Sequence, residues 1–552
     1  NGGEAVYRVL KANGISATFG LLGGSMLELY DAMYADQGND GAIRYVGARD
    51  ERAAGHMADA YARMNGGPGV VLGAQAGPGV VNLATAVAEA QLAYSPLVVL
   101  AGAISRADQG KDTFQELDQV ALFAPICKRS QMVTDPARLV GAVEDAIRLS
   151  MSGRRGPVVL HIPRDLFAAD LPDEQPRPLR IARPGPASAD DVVEMAAMLT
   201  TAKRPVIVAG GGFKWAGGAD ALRALAEKTQ APVVASTGHA DVMYHGHPLF
   251  AGQGGPRGNR VASRLTREAD VIIALGARLA FNSTFHSPEY INPDARIAQV
   301  DVEGSAVGRY FPVEVAAQGD AAATAVALTE ACGPVNSDDW MAAFKADMVS
   351  LSAEREAEAA LDGEIMHPRR ALAEIRAALP EHAIVTLDTG NTCLQAADRL
   401  AHYQSPSLIT PLDFGLVGFG FVAAQGAQVA APDRPVIAIM GDGAFGYTMA
   451  EMMSAVQNKL PIIAIILDNG AWGAEKAYQQ EFFGGRLLGA EIIHADYAAY
   501  AELCGGRGWR ADTPRELLSA LNEALATKAP SIIHAKIDPG ALSTLRKDLF
   551  KK

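Results

Sequence analysis

Cysteine is scarce in this chain, and its few cysteines follow no pattern. The 552 residues include four, at positions 127, 332, 393 and 504, with no CxxC pair and no zinc-ligand spacing. This excludes a disulfide framework and favours a reducing compartment. No apolar run reaches the roughly 18 residues that a membrane span needs, and no signal peptide is visible. We therefore expect a cytoplasmic protein with no membrane partner.

Positive charge is also in short supply. Lys and Arg number 49 against 62 Asp and Glu, which gives a formal net charge of −13. No stripe of basic residues stands out from this acidic background. Nucleic-acid binding relies on clustered Lys and Arg, so the sequence argues against nucleic acid as a partner.

Short runs of Val and Ile, by contrast, are frequent, and they alternate with Ala-rich helical patterns. Such runs are typical of parallel strands buried on both faces, and the alternation predicts parallel sheets covered by helices. The length suggests about three domains. The sequence thus predicts an α/β fold with three doubly wound, parallel-sheet domains in series. The predicted strands lie in the runs GVVLGA, PLVVLAGA, PVVLHIP, RPVIVAGGG, DVIIALGAR, AIVTLDTGN, PVIAIMGDG, PIIAIILDN and SIIHAKI.

Two stretches have the composition of connections between domains. Residues 166–185 are rich in Pro and charge, and residues 333–365 contain a charged piece with helical character, AEREAEAALDGE. Segments of this kind suit linkers. We therefore expect domains at 1–165, 186–332 and 366–545.

The segment that says most about chemistry is IAIMGDG, followed 27 positions after Asp442 by Asn469. A strand is predicted to end at Met440, followed by a small-residue turn, a helix and a second strand from Ile462 to Leu467. In a parallel βαβ unit both strand ends emerge at one edge of the sheet, where open α/β sheets bind ligands. Two hard oxygen ligands beside a helix N-terminus predict an Mg²⁺ site that holds a diphosphate. The alternative is an aspartate that merely caps a helix.

A second carboxylate of interest stands far upstream, in ARDERAAGHMADAYAR at 48–63. This segment is typical of a strand end and a helix with acids in its first turn, as the helix dipole favours. Glu51 is here either a capping acid or a carboxylate for chemistry in a dry pocket, where a charge-assisted hydrogen bond is strong. Three further segments combine glycine with small or polar residues: QAGPGVVN at 75–82, DTGNT at 388–392 and DFGLVGFG at 413–420.

Together these motifs, spread over essentially the whole chain, resemble the thiamine diphosphate-dependent enzymes of the acetohydroxyacid synthase (acetolactate synthase) superfamily. The resemblance implies thiamine diphosphate and Mg²⁺ as cofactors, and pyrimidine-binding, central and diphosphate-binding domains in that order. It implies that Glu51 hydrogen-bonds the aminopyrimidine ring of the cofactor and drives it to its imino tautomer. The implied metal ligands are Asp442, Asn469 and the carbonyl of Ala471. The other implied cofactor-binding residues are Gly77, Pro78, Asn82, Gly390, Asn391, Thr392, Gly415, Val417, Gly441, Gly443, Ala444 and Trp472.

The chain departs from the family pattern at three of these places. It has Asp468 where the family commonly has Asn, and Asp50 where the family has His before the glutamate. Val417 is smaller than the Met, Leu or Ile that usually supports the bent cofactor. The resemblance also implies a homodimer or homotetramer in which two subunits share each active site.

Signatures of substrate choice are mixed. WGAEK at 472–476, APDRP at 431–435 and LRKDLFKK at 545–552 resemble sulfoacetaldehyde acetyltransferases, whereas ERAAGHM at 51–57 resembles acetolactate synthases. We expect transfer of a two-carbon unit, best matched by sulfoacetaldehyde giving sulfite and acetyl phosphate. The alternative is an acetolactate synthase-type carboligase that decarboxylates pyruvate.

Three polar side chains are candidates for contacts with the substrate. Gln115 and Lys128 match the segment that lines the substrate mouth in acetolactate synthases, with ordinary surface-loop polarity as the alternative. Lys476 would hold a sulfonate or phosphate as a point charge, unless it pairs with Glu475 on an exposed helix face. Together with Glu51, we take Gln115 and Lys476 as the candidate catalytic residues.

The central region bears on a second cofactor. Segments 204–212 and 276–278 resemble the domain that binds FAD in acetolactate synthases, but residues 250–255 match its flavin loop poorly, which disfavours bound FAD and leaves it open. A rival of another class is a catalytically inert binding or regulatory subunit with the same fold. A Rossmann NAD or FAD oxidoreductase is a further rival, and no GxGxxG with a following acidic residue supports it.

Overall fold

The computed structural model describes residues 1–172, 176 and 178–544, so the predicted signature at 545–552 lies outside the described residues. Across the described ranges, three six-stranded sheets form, and every strand pairing within them is parallel. The predicted α/β fold with three parallel sheets in series is therefore confirmed. Within these ranges, none of the helices combines the length and apolar character needed to cross a bilayer.

The first sheet occupies the N-terminal part of the chain. Its strands are β1 Ala17–Leu21, β2 Arg44–Gly47, β3 Gly69–Gly73, β4 Leu97–Ala103, β5 Arg129–Met132 and β6 Val158–Pro163. The helices of this part are α1 Gly2–Ala12, α2 Leu27–Ala35, α3 Glu51–Asn65, α4 Pro78–Asn82, α5 Ala84–Leu92, α6 Gln119–Phe123, α7 Leu139–Met151 and α8 Arg164–Ala168. The strand order is β2-β1-β3-β4-β6-β5, so the chain starts inside the sheet and winds outward in both directions.

The second sheet follows in sequence. Its strands are β7 Pro205–Ala209, β8 Val233–Ala235, β9 Phe250–Gln253, β10 Val271–Leu275, β11 Arg296–Asp301 and β12 Val315–Gln318. The helices are α9 Ala189–Thr201, α10 Gly211–Ala216, α11 Ala219–Thr229, α12 Arg260–Glu268, α13 Phe281–Thr284, α14 Ala321–Ala331 and α15 Asp338–Ala359. The order β12-β11-β10-β7-β8-β9 is that of a doubly wound, Rossmann-type sheet.

The third sheet repeats the strand order of the first. Its strands are β13 Ile384–Leu387, β14 Leu408–Ile409, β15 Val436–Gly441, β16 Ile463–Asp468, β17 Arg507–Ala511 and β18 Ser531–Lys536. The helices are α16 Pro368–Ala378, α17 Asn391–Arg399, α18 Gly420–Ala430, α19 Asp442–Thr448, α20 Glu451–Gln457, α21 Gly473–Phe482, α22 Tyr497–Leu503 and α23 Pro514–Thr527. The order β14-β13-β15-β16-β18-β17 reverses direction between β13 and β15. All nine runs predicted to be strands are strands.

By their contacts the residues fall into two compact units. The first unit comprises residues 1–182, 421–433 and 448–462, and the second comprises 183–420, 434–447 and 463–552. The first unit thus contains the first sheet together with most of α18 and all of α20. Gly426 of α18 lies so close to the Met57 carbonyl of α3 that any side chain at this position would overlap it.

The predicted connection at 333–365 is mostly the 22-residue helix α15, which confirms the helical character of its charged piece. Its apolar residues Trp340, Phe344 and Leu351 belong to the core around the second sheet, and the Trp340 indole donates to the Pro205 carbonyl at 3.1 Å. The domain boundaries proposed from the sequence stay a prediction.

Candidate active site

The third sheet brings the strand ends before Asp442 and Asn469 together. Strands β15 and β16 are paired neighbours, with Gly441 opposite Leu467 in register. Strand β13 pairs with the other side of β15, so this edge lies where the strand order reverses, the usual ligand position in open α/β sheets. The predicted turn at 441–443 is wrong, because β15 runs through Gly441 and α19 begins at once with Asp442. The single helix predicted between the two strands is two helices, α19 and α20.

The Asp442 carboxylate is buried beside the Asp468 carboxylate and accepts no hydrogen bond of regular geometry. Its side chain is 1% exposed. Burial raises the pKa of Asp442 well above its usual range, and the nearby Asp468 carboxylate adds to the rise. A carboxylate in such surroundings is unfavourable unless it is protonated or faces a cation. Asp442 therefore fits the role of an Mg²⁺ ligand.

Asp468, the last residue of β16, is hydrogen-bonded by several groups. It accepts from the N–H of Gly470 at 2.8 Å, from Nδ1 of His494 at 2.9 Å and from Nε2 of His534 at 2.8 Å. Burial opposes ionisation, but the hydrogen bonds from His534 and His494 outweigh it and hold the pKa of Asp468 well below its usual range. Sequence reasoning missed this network. The available signal was a second carboxylate where the family commonly has Asn.

Asn469 and Ala471 lie in the turn that Asp468 anchors. Both are buried, and the turn pairs with a second segment: Trp472 N–H donates to Ala490 O at 2.8 Å and Ile492 N–H to Gly470 O at 2.9 Å. Within the described ranges, no group of three or more His, Cys, Asp or Glu side chains could hold a metal by itself. A cation bound here would therefore also use amide, backbone and diphosphate oxygens, as Mg²⁺ sites in proteins commonly do.

Other predicted cofactor residues line the same edge. Gly390 ends the connection after β13 with φ of 117°, and a Cβ there or at Gly441 would meet no atom within 4 Å. This open space lies before the first turn of α17, whose N–H groups can bind phosphate. A Cβ at Gly443, by contrast, would come within 2.8 Å of the Trp472 ring, so these two predicted residues pack together.

Two residues in the first turn of α17 were predicted to hold the diphosphate. Thr392 is 6% exposed. The side chain of Asn391 is engaged elsewhere: its Oδ1 accepts from the N–H of Ser543 at 3.1 Å and from Gln395 Nε2 at 3.0 Å, and its amide donates to the Ser543 carbonyl. In this arrangement the side-chain amide of Asn391 is occupied, so Asn391 would bind a phosphate through its backbone N–H.

The loop that carries Gly415 and Val417 is held by Asp388. This buried carboxylate accepts from the N–H groups of Gly418 at 3.0 Å and Gly420 at 2.6 Å. Burial raises the pKa of Asp388 to about 6. Gly415 is exposed and has φ of 86°, and Val417 is half-buried. Asp388 stands in a motif that the sequence singled out, but its role as an anchor was not foreseen.

In the first unit, Glu51 is the first residue of α3, and its neighbour Asp50 caps the helix. Asp50 accepts from the N–H groups of Arg52 at 2.8 Å and Ala53 at 3.4 Å. The alternative that Glu51 is the capping acid is therefore wrong. Glu51 is 9% exposed, and its Oε2 accepts from Asn82 Nδ2 at 3.0 Å. Its Oε1 lies against Gly79, where a Cβ would approach it to 2.8 Å.

Glu451 supports the segment before Glu51 and was not singled out in the sequence. It is 1% exposed and accepts from the N–H of Arg49 at 3.0 Å. Burial raises the pKa of Glu451 to about 7. The helix that carries Glu451 thus meets the chain two residues before Glu51, within the same unit.

The glycine turn at 77–79 is tied to Gln115. Gly77 has φ of 70°, and a Cβ there would lie 2.6 Å from the Gln115 carbonyl. Gln115 itself has φ of 70°, and its Oε1 accepts from the Gln75 amide. The Gly77 N–H donates to Gln119 Oε1 at 2.7 Å. Pro78 and Asn82 are exposed beside Glu51. Of the four predicted residues Gly77, Pro78, Asn82 and Gln115, Asn82 contacts the Glu51 carboxylate directly, and Gly77 is tied to Gln115.

The two lysines of interest have different surroundings. Lys128 donates to the carbonyls of Leu149, Ser152 and Arg154 around the end of α7, at 2.7 to 2.8 Å. Lys476 is 12% exposed and pairs with Glu491 at 3.2 Å. The suggested pairing of Lys476 with Glu475 on an exposed helix face is therefore wrong.

The glycine-rich turn of the second sheet is closely packed. A Cβ at Gly211 would lie 2.8 Å from the ring of His239, and one at Gly210 would lie 2.5 Å from the Gly276 carbonyl. Side chains at these two positions would thus collide with the chain's own residues, and the expectation about FAD stays a prediction.

Comparisons with known proteins match three successive segments of the chain. Residues 1–122 match the N-terminal TPP-binding domain of thiamine pyrophosphate enzymes, residues 192–328 match their central domain, and residues 388–535 match their C-terminal TPP-binding domain.

Curated relatives match at full length as well. A sulfoacetaldehyde acetyltransferase of Castellaniella defragrans is 34% identical over 95% of this chain and 90% of its own length. One of Rhodobacter capsulatus is 32% identical over 100% and 96%. The large subunit of acetolactate synthase isozyme 2 of Escherichia coli is 30% identical over 98% and 96%. The chain therefore belongs to the thiamine pyrophosphate (thiamine diphosphate) enzymes.

Proposed function

We propose that this enzyme uses thiamine diphosphate and Mg²⁺ to transfer a two-carbon unit from sulfoacetaldehyde to phosphate, with release of sulfite. The observation that carries the metal and cofactor part is the buried Asp442 carboxylate, which accepts no hydrogen bond of regular geometry, at the edge where the third sheet reverses its strand order. When bound, the thiazolium of the cofactor supplies the electron sink for breaking the bond to the leaving group.

Different residues would bind the metal ion and the diphosphate of the cofactor. Asp442, Asn469 and the Ala471 carbonyl would bind Mg²⁺. The N–H groups of Asn391 and Thr392 would bind the diphosphate, with the helix dipole of α17 favouring its charge.

The organic part of the cofactor would be held by other groups. Gly415 would accept from the aminopyrimidine through its carbonyl, and Val417 would support the bent conformation. Glu51, held by Asn82 at 3.0 Å and packed on Gly79, would hold a proton shared with the pyrimidine ring nitrogen. A carboxylate so shielded makes a strong hydrogen bond.

Substrate choice is proposed from Lys476. Its side chain is 12% exposed, and its ammonium lies 3.2 Å from Glu491, which is 66% exposed. A largely buried ammonium whose partner faces solvent can exchange that partner for a sulfonate or phosphate at modest cost, since exposed ion pairs contribute little. The similarity to sulfoacetaldehyde acetyltransferases at 32 to 34% identity supports the same substrate. The acetolactate synthase relative, at 30%, keeps pyruvate as the second candidate donor.

We also propose a homodimer or homotetramer with shared active sites. Apolar side chains are exposed in the same unit as Glu51, among them Leu22 at 69%, Leu27 at 50% and Phe114 at 84%. Apolar exposure of this kind marks surfaces that bind partners. A second copy of the chain that brings its own diphosphate site would cover Glu51.

The test is a product analysis of the purified chain with thiamine diphosphate and Mg²⁺. One arm supplies sulfoacetaldehyde with phosphate and the other supplies pyruvate, and sulfite, acetyl phosphate, CO₂ and acetolactate are measured. We expect sulfite and acetyl phosphate in equal amounts, only when phosphate is present. Acetolactate and CO₂ as the main products would favour the carboligase instead. Bound cofactor with no turnover of either donor would indicate an inert subunit.

Glu51→Gln tests the role of the Glu51 carboxylate, because the substitution keeps the shape of the side chain and removes its charge. We expect it to bind the cofactor and to lose about 10² to 10⁴-fold in turnover, the range of a positioned acid–base group. Turnover close to that of the native enzyme would contradict the role given to Glu51.

A further inference from the structure

A cavity of about 360 Å³ lies in the second unit, away from every residue assigned above. Its walls come from the linker helix α15, from the start of strand β9, and from helices α16 and α17. The residues of α17 that line it, Asp398 and Arg399, are at its C-terminal end, whereas the predicted diphosphate site is at the N-terminal end of the same helix. The cavity is therefore separate from the candidate active site.

The cavity has a polar side dominated by arginine. Glu358 of α15 accepts four hydrogen bonds, from Arg355 Nη1 at 2.8 Å, from Arg369 Nη1 at 2.9 Å, and from Nε and Nη2 of Arg399 at 2.9 and 2.8 Å. Arg355 also pairs with Asp398. Three guanidinium groups thus face two carboxylates, and one positive charge is left over among the charged groups of the wall.

Arg369 is the arginine of this group that is best placed to bind an anion. It is the most exposed of the three arginines, at 37%, and among the described residues its ion pair is with Glu358. Its Nε is buried. An anion in the cavity would therefore meet the exposed part of the Arg369 guanidinium.

The cavity also has apolar lining. Phe250, Met348, Leu351 and Tyr403 contribute to it. The volume lies within the range of small-molecule sites, which typically combine apolar walls with a few polar groups that fix orientation. A purely structural void of this composition would instead be expected to be small and filled by packing.

We propose that this cavity binds a small organic monoanion, with a carboxylate head on Arg369 and an apolar body against Phe250, Leu351 and Tyr403. One surplus guanidinium charge matches one negative charge, and the planar guanidinium suits a carboxylate. The proposal does not depend on the substrate of the active site, and either can fail alone.

The test is isothermal titration calorimetry of the holoenzyme, loaded with thiamine diphosphate and Mg²⁺, with 2-naphthoate as probe. Acetate has the same head without the body, and 2-naphthamide has the same body without the charge. We expect one saturable 2-naphthoate site per chain, with acetate and 2-naphthamide each binding at least tenfold more weakly. No saturation by 2-naphthoate at millimolar concentration would overturn the proposal, as would equal binding of 2-naphthamide.

Two variants assign the binding to this cavity. Arg369→Gln should weaken 2-naphthoate binding at least tenfold. Arg370→Gln is the matched control, because Arg370 follows in the same helix but pairs with Glu374 at 2.6 Å and does not line the cavity. It should leave the affinity within twofold of the native value. Equal effects of the two substitutions, or none from Arg369→Gln, would place the bound probe elsewhere and refute the site.

A second variant, which blocks the cavity by size, keeps the proposal testable if Arg369→Gln fails to fold. Ser352 lines the cavity and is exposed, so Ser352→Trp should fill the space without disturbing the core. We expect it to abolish 2-naphthoate binding while two-carbon transfer continues. Unchanged binding to a folded Ser352→Trp enzyme would contradict the proposal.

Discussion

Gly79→Ala is the most direct test of how the first unit positions Glu51. The added Cβ would lie 2.8 Å from Glu51 Oε1 and 3.0 Å from the Gln75 Cβ. Ordinary contacts of this kind begin near 3.4 Å, so the carboxylate oxygen must move by about 0.6 Å or the helix must shift. The Glu51 side chain therefore cannot stay in the place where it now accepts the hydrogen bond from Asn82.

The size of the effect follows from what a catalytic carboxylate requires. Proton-sharing hydrogen bonds work within about 2.6 to 3.2 Å, and a displacement of about 1 Å can reduce turnover by about 10²-fold. We therefore expect Gly79→Ala to lower kcat/KM by about 10 to 10²-fold. Cofactor binding should change much less, because the proposed site holds the diphosphate and Mg²⁺ through other residues.

The assay is steady-state turnover with the accepted donor, accompanied by titration of thiamine diphosphate against the apoenzyme. Gly141→Ala is the matched control, since Gly141 lies in helix α7 and a Cβ there would meet nothing within 4 Å. It should leave turnover unchanged. Native turnover in a folded Gly79→Ala enzyme would refute the reasoning that the glycine makes room for Glu51.

Three further predictions concern other parts of the site. Asp442→Ala should abolish Mg²⁺-dependent retention of thiamine diphosphate on gel filtration, and unchanged retention would exclude the metal site. Lys476→Gln should raise KM for the sulfonated donor at least tenfold with a smaller change in kcat, and an unchanged KM would remove Lys476 from substrate binding. The pKa of Glu451 is raised from 4.5 to about 7, so its contribution to stability is present below pH 4.5 and is lost as pH rises to 7, by up to about 3 kcal/mol at about 1.4 kcal/mol per pH unit. Thermal midpoints between pH 5 and 8 should therefore fall more steeply in the native protein than in Glu451→Gln, and parallel curves would contradict this.

Much of the fold could be predicted because its signals are local. Nine buried strands are short runs rich in Val and Ile, and each of these predicted runs is a strand. Buried strands without Val or Ile, such as β1 and β9, gave no such signal. The placement of Asp442 beside the turn with Asn469 also followed from sequence, since connected parallel strands end at one edge. The detail of the GDG segment did not follow, because small residues suit both a turn and the tight entry into a helix that the structure shows.

The remaining features depend on contacts between residues far apart in sequence. Asp468 is joined to His494 and His534, which lie 26 and 66 positions away. Lys476 has Glu475 beside it in sequence, yet pairs with Glu491 across a turn. The side chain of Asn391 is hydrogen-bonded to Ser543, which lies 152 positions later. No periodicity or spacing encodes such partners, since each depends on how separate connections pack over the sheet.

The two neighbouring carboxylates at the ends of β15 and β16 have very different surroundings. Asp468 is stabilised in its ionised form by two histidines and a backbone N–H. Asp442, beside it, is buried and accepts no hydrogen bond of regular geometry. An asparagine at 468 could accept the same N–H, but it would lose the charge-assisted hydrogen bonds from the two histidines. If Mg²⁺ binds Asp442 as proposed, the field of Asp468 at low dielectric would act on the cation as well. The second carboxylate would then serve the turn and, as an outer charge, the proposed Mg²⁺ site.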